Sequence, residues 1–241
     1  MMQKLPLWVR KALANGVHLF TATGAVWGFL TLLAIWEQNF KLAIVYVIVA
    51  MFVDGFDGIL ARWLDVKTYA KGIDGGLMDN IIDYLNYVVV AALLMIKVPG
   101  LLPQGFEMAC AISILLTSGF QFSQTDAKTD DESYFFKGFP SVWNFLVIYM
   151  MLLGLNPWIN LALVVICNIL IFVPIKYLYP TRNTRLRKFT LGFTYLYGVL
   201  GVWGLLQYPN VPDWVAPASF VYVAYYALLS FFPKLGTPKS V

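Results

Sequence analysis

The chain has 241 residues, 60% of them hydrophobic and only 12% charged, with a mean hydropathy of +0.71 and a formal net charge of +4. This balance excludes a water-soluble domain, offers no basis for a nucleic-acid partner and places the chain in a bilayer as a polytopic protein. The two cysteines, Cys110 and Cys167, lie inside apolar runs without metal-ligand spacing, so no disulfide framework is expected.

Residues 1–14 come first. Leu5, Trp8, Val9, Ala12 and Leu13 recur at helical spacing with Lys4, Arg10 and Lys11 opposite, the pattern of an amphipathic helix lying on anionic headgroups, although Leu7 falls on the polar face. The same basic residues interrupt any cleavable signal pattern, so this segment is expected to be retained. Apolar runs follow near 17–36, 40–61, 77–96, 106–122, 141–155, 157–178, 189–207 and 214–232, eight candidate spans. The fifth is the shortest, and with only Asn156 and Pro157 before the next it can form a tight helical hairpin leaning within the bilayer.

In the eight-span reading fifteen of the 17 basic residues fall on one side and only Lys41 and Lys97 on the other. Both termini and the linkers around Arg62 and Lys128 are therefore expected in the cytoplasm. No internal repeat and no second domain are visible, so residues 1–241 read as one membrane-embedded domain. The longest linker, 123–139, carries Asp126, Lys128, Asp130, Asp131 and Glu132 and reads as either a lid or a solvated loop.

Within this apolar setting residues 54–83 stand apart, because Asp54, Asp57, Asp79 and Asp83 sit inside or at the ends of two apolar runs. At about 100° per residue, Asp54, Asp57, Gly58 and Ala61 share one face of the second helix, and Gly75, Asp79, Asp83 and Asn86 share one stripe of the third. Crowded carboxylates repel unless a cation lies between them, and oxygen-only ligands select hard ions. The arrangement reads as a site for Mg2+ or Mn2+, with two ions. Intramembrane acids also occur in ion pathways, but here they cluster toward one side, the far halves are apolar and repeats are lacking.

Asp54, Asp57, Gly58, Ala61, Arg62, Gly75, Asp79 and Asp83 spell DxxDGxxAR followed by GxxxDxxxD. This resembles the signature of the CDP-alcohol phosphatidyltransferases, and the likeness extends through Val17–Gly24, Phe120–Asp131, Gly138–Asn144 and Pro174–Arg182. The stretch between Arg62 and Gly75 is longer than in most of the family, a mark of the bacterial branch whose acceptor is choline. The resemblance implies an all-α integral membrane fold of about eight transmembrane helices, six of them a family core, working as a homodimer in the bacterial inner membrane. It implies transfer of the phosphatidyl group from CDP-diacylglycerol to choline with release of CMP; serine, inositol or glycerol phosphate are the alternative acceptors within the family.

By the same resemblance Asp54, Asp57 and Asp79 are metal ligands, and Asp83 is the base, near or on a metal. Asp54, Gly58, Ala61, Arg62, Gly75 and Asp79 line the CDP pocket. For the glycines, close helix packing is the competing reading. A quaternary ammonium is held by aromatic faces, which makes Tyr84, Tyr87 and Trp143, with Asn86, candidates for choline against the plainer reading of packing and interfacial anchoring. Lys128 and Arg182 are candidates for lipid phosphate. His18, the only histidine, and Thr21 read either as additions to the site or as hydrogen-bonding groups inside the bundle.

Overall fold

In a computed structural model, the structure describes residues 5–124, 135–173, 176–178 and 187–231. Helix α1 runs unbroken over Leu7–Trp36. The expected division after residue 14 is absent, because Ala14 and Val17 are buried against Leu64, Val66 and Ala70 and hold that turn in the bundle. The described part of the amphipathic segment is thus the exposed start of α1, continuous with the first span.

A turn with Gln38 in the left-handed region leads to α2, Phe40–Trp63, where the Asn39 side chain accepts from the Leu42 amide at 3.2 Å. A four-residue helix, α3 (Val66–Tyr69), fills the long linker and packs on α1. The next helix begins where Asp74 caps the Leu77 amide at 3.0 Å. It is α-helical over Gly75–Asp83 (α4), forms a π turn over Tyr84–Val89, and resumes as α5 over Val90–Lys97. The rest comprises α6 (Glu107–Phe122), α7 (Trp143–Leu153), α8 (Pro157–Phe172), α9 (Arg187–Leu206) and α10 (Val215–Phe231).

The protein is all-helical in its membrane-embedded part. Helices α1, α2, Gly75–Lys97 and α9 are long and apolar enough to cross a membrane, while α6, α7, α8 and α10 are apolar but shorter. The 11 residues of α7 reach only about 16 Å, roughly half of a hydrocarbon core. Gly154 in the left-handed region and Asn156 capping α8 turn the chain directly into the next helix, as a hairpin requires. The expected sixth span stops at Phe172, short of residue 178: Val173, the residue before a proline in the sequence, is extended, as that position favours. Lys176–Leu178 instead pairs antiparallel with Phe135–Lys137, a short ribbon that apolar periodicity gave no reason to expect.

The main core lies where α5, α6, α7 and α8 meet, around Met95, Ile114, Trp143, Val147 and Val164. Most polar groups there are paired, as a medium without water favours, Asn160 Oδ1 being a buried exception. The Trp143 indole N–H donates to the Ser118 hydroxyl at 2.8 Å, Gln121 donates to the Phe139 carbonyl at 2.5 Å, and Ser141 donates to Gln121.

Helix α1 approaches the third span through small residues. A Cβ at Gly24 would lie 2.8 Å from Ile82, and one at Gly28 would lie 2.6 Å from Asn86 Oδ1 and 2.9 Å from Leu85. Gly28→Val is therefore expected to cost about 1–3 kcal/mol by overpacking, read as a lowered midpoint of thermal unfolding in detergent. An unchanged midpoint would mean that the α1 contact yields freely.

Candidate active site

The second helix brings Asp54 and Asp57 to the end of the bundle where α4 starts, and α4 presents Asp79 to them. One carboxylate oxygen from each of the three lies within 4.8 Å of the others, and Asp57 is buried at 8% exposure. Neutral donors from two other segments help hold the cluster. The Thr21 hydroxyl of α1 bonds Asp57, and the Tyr87 hydroxyl donates to Asp54 Oδ2 at 2.6 Å. Three anionic oxygens at this spacing make a hard-cation site of the right chemistry: all-oxygen, carboxylate-rich and oriented by outer hydrogen bonds.

Asp83 is not one of the converging three. It lies one helical turn beyond Asp79 and lines a small cavity with Asp54, Asn86, Tyr87 and Asn144, floored by Val47 and Met51. The space is about 10 Å3, room for roughly one water molecule.

The π turn decides which side chains accompany the acids. Its hydrogen bonds span five residues rather than four, so each later residue falls back by about one position. Tyr87 takes the place on the acidic stripe that regular helical spacing assigns to Asn86. Asn86 turns toward α1, where its amide donates to the Gly24 carbonyl at 3.1 Å while its side chain still borders the cavity.

The remaining candidates divide by what they touch. Arg62 folds back over Gly58, its guanidinium 3.3 Å from where a Cβ would sit, so the glycine makes room for a cation beside the acids. Ala61 packs into the small core between α1 and α3, which gives it a packing role. Gly75 admits the His18 ring, whose Cε1 would lie 2.9 Å from a Cβ, so this glycine allows close approach of α1 to α4. His18 is buried, at 5% exposure, and its Nε2 has no hydrogen-bond partner. Thr21, one turn further along α1, belongs to the acidic cluster through Asp57.

Two of the aromatic candidates for choline are otherwise committed. Tyr84 donates to the Leu115 carbonyl of α6 at 2.8 Å and meets Phe122 edge-on. Trp143 is wholly buried, its N–H satisfied by Ser118 and its ring against Phe139. Trp143 thus has no solvent-open face, while the described contacts of Tyr84 engage its hydroxyl and its ring against Phe122. Tyr87 does border the cavity, with its ring stacked on Phe145 at 6.3 Å. Lys128 and Arg182 lie outside the described residues.

Sequence reasoning passed over Asn144, which is 1% exposed and faces the cavity from the start of α7. The one signal for it is its place in the segment Gly138–Asn144. The Tyr87 hydroxyl is a second addition, since composition points to its ring and not to the bond its O–H makes with Asp54. Tyr87→Phe is expected to weaken Mn2+ binding by roughly ten- to a hundredfold, the usual cost of losing a group that orients a ligand, measured by calorimetric titration. If the choline KM rises and the Mn2+ affinity stays, the ring face is what matters.

The family model for CDP-alcohol phosphatidyltransferase matches residues 11–174, from α1 to the end of α8. Among curated proteins, phosphatidylcholine synthase of Legionella pneumophila is 38% identical over 222 residues, covering 90% of this chain and 86% of that protein. The phosphatidylcholine synthase of Mesorhizobium japonicum is 36% identical over 247 residues, covering 95% and 91%. That of Borreliella burgdorferi is 39% identical over 178 residues, covering 74% and 75%. The first two extend the likeness beyond the family core into the region of α9 and α10.

Proposed function

Because the chain belongs to the CDP-alcohol phosphatidyltransferase family, we propose that it transfers the phosphatidyl group of CDP-diacylglycerol to choline, forming phosphatidylcholine and CMP. The observation that carries this reading is the arrangement of the motif acids: Asp54, Asp57 and Asp79 converge, and the fourth, Asp83, faces a small polar cavity that Asp54 shares. The likeness to phosphatidylcholine synthases over nine-tenths or more of this chain supports choline over serine, inositol or glycerol phosphate.

Asp54, Asp57 and Asp79 are the residues that fit Mg2+ or Mn2+, and two ions are part of the proposal. A bound divalent ion supplies charge neutralisation and Lewis acidity toward a diphosphate. The protein's own side chains do the rest. Thr21 and Tyr87 fix the orientation of Asp57 and Asp54, so little reorganisation remains when substrate arrives. Arg62, exposed above Gly58, is placed to bond the diphosphate. Asp83 takes the proton of the choline hydroxyl as that oxygen bonds to phosphorus and the bond from phosphorus to the CMP oxygen breaks.

The protein is a multi-pass membrane protein. The one-sided distribution of basic residues supports an inner-membrane orientation with both termini and the acids in the cytoplasm, where CMP is released. A homodimer is part of the same proposal.

The test is transfer of labelled choline into lipid by purified protein with CDP-diacylglycerol and Mn2+, beside serine and inositol. Labelled phosphatidylcholine that disappears with chelator is the expected result. Activity with another alcohol and none with choline would keep the reaction and overturn the acceptor. No transfer to any alcohol by folded protein would overturn the reaction itself.

A further inference from the structure

The long linker between α2 and α4 does more than join them. It builds a second concavity, an open cleft of about 450 Å3 between the start of α1 and the segment after α3. Lys11 and Asn15 form one wall; Thr68, Tyr69, Lys71 and Gly72 form the other. Among the described residues, none that lines it carries a carboxylate.

Three features give this cleft a fixed shape. Leu64, Val66 and Ala70 are buried against Ala14 and Val17, so the linker is seamed to α1. Arg10 donates to the Tyr69 hydroxyl at 3.1 Å with its guanidinium 5.7 Å from the centre of that ring. Asp65, in the left-handed region, starts the turn that makes α3 possible. Two ammonium groups, an amide and a hydroxyl are therefore presented from a braced frame, not from a loose basic tail.

The cleft's surroundings select the ligand. Exposed Leu7, Trp8 and Leu13 on α1 and Trp63 at the end of α2 are apolar side chains of the kind that sit at the bilayer boundary. A cationic hollow at that depth meets phosphate carried by lipid, and juxtamembrane lysines gain binding energy from anionic headgroups. We propose that this cleft is a binding site for a phosphodiester anion, supplied by the headgroup of an anionic phospholipid. Its far wall ends at Gly72, two residues before the Asp74 cap of the helix bearing Asp79 and Asp83. Occupancy therefore braces the start of that helix. In combination with the proposed reaction, which consumes an anionic lipid and makes a zwitterionic one, such a site makes the rate follow the anionic content of the membrane.

The test separates lipid binding from activity, so failure of the proposed reaction leaves it readable. Full-length protein is placed in phosphatidylcholine nanodiscs with graded phosphatidylglycerol, and lipids retained after gentle extraction are counted by native mass spectrometry. Wild type is expected to retain phosphatidylglycerol saturably, and Lys11→Gln with Lys71→Gln to weaken retention by roughly ten- to thirtyfold. Lys67→Gln with Lys188→Gln, an equal loss of charge outside the cleft, is expected to change it little. Retention unaffected by millimolar inorganic phosphate or CMP assigns the lipid source; displacement by either assigns a free phosphate to the same site. Equal retention by the cleft variant and wild type, or equal loss in both double variants, overturns the site. Choline transfer that rises with phosphatidylglycerol in wild type and stays flat in the cleft variant is the expected second readout; a parallel rise in both overturns the link to activity.

Discussion

Asp79→Asn is expected to lower choline transfer on the order of a thousandfold and to remove high-affinity Mn2+ binding while leaving the protein folded. The size follows from Lewis-acid stabilisation of several kcal/mol, each 1.4 kcal/mol being about tenfold in rate. The more telling part is stability. Unit charges as close as the three carboxylates, within 4.8 Å of one another, repel by about 3–4 kcal/mol per pair at an effective dielectric near 20, less whatever proton uptake relieves. Without metal, wild type carries that repulsion and the amide variant carries less of it. Thermal unfolding in detergent with chelator should therefore find Asp79→Asn at least as stable as wild type, and Mn2+ should raise the midpoint of wild type alone. A variant that unfolds earlier under chelator would show that Asp79 holds the helices together by some other contact.

Much of this site was legible in the sequence because carboxylates are costly in an apolar span, so their spacing is informative. Regular helical arithmetic placed Asp54 with Asp57 and Gly75 with Asp79, and the structure brings the acids of both helices to one place. The arithmetic fails beyond Asp83, since a π turn leaves no compositional mark in Tyr84–Val89 yet carries Tyr87 onto the acids and Asn86 toward Gly24. The partners of the aromatic residues were hidden for a different reason. The Trp143 N–H and the Tyr84 hydroxyl are each taken by a hydroxyl or carbonyl across a helix interface, and sequence does not name that partner. The continuity of α1 was hidden similarly: the contact that keeps Ala14 inside the bundle comes from Leu64, Val66 and Ala70, some fifty residues away in a linker. The apolar run ending at residue 178 concealed the ribbon because hydropathy does not distinguish a helix end from a strand.

Asp83→Asn separates proton transfer from metal binding. The substitution keeps the side chain's size, so the cavity shared with Asn86, Tyr87 and Asn144 is preserved, but an amide does not accept a proton from an attacking hydroxyl. Loss of a general base typically costs 10²- to 10⁴-fold, and the loss is expected in kcat, with Mn2+ affinity and the KM for CDP-diacylglycerol changed only a few fold. Those quantities depend on the converging Asp54, Asp57 and Asp79, of which Asp83 is not a member. The comparison with Asp79→Asn carries the argument, since two isosteric changes one helical turn apart should fail differently, one losing the ion and the other losing the step. If Mn2+ affinity falls as far in Asp83→Asn as in Asp79→Asn, Asp83 is a ligand. The cavity beside it then has no base, and the choline proton must leave by way of the diphosphate itself.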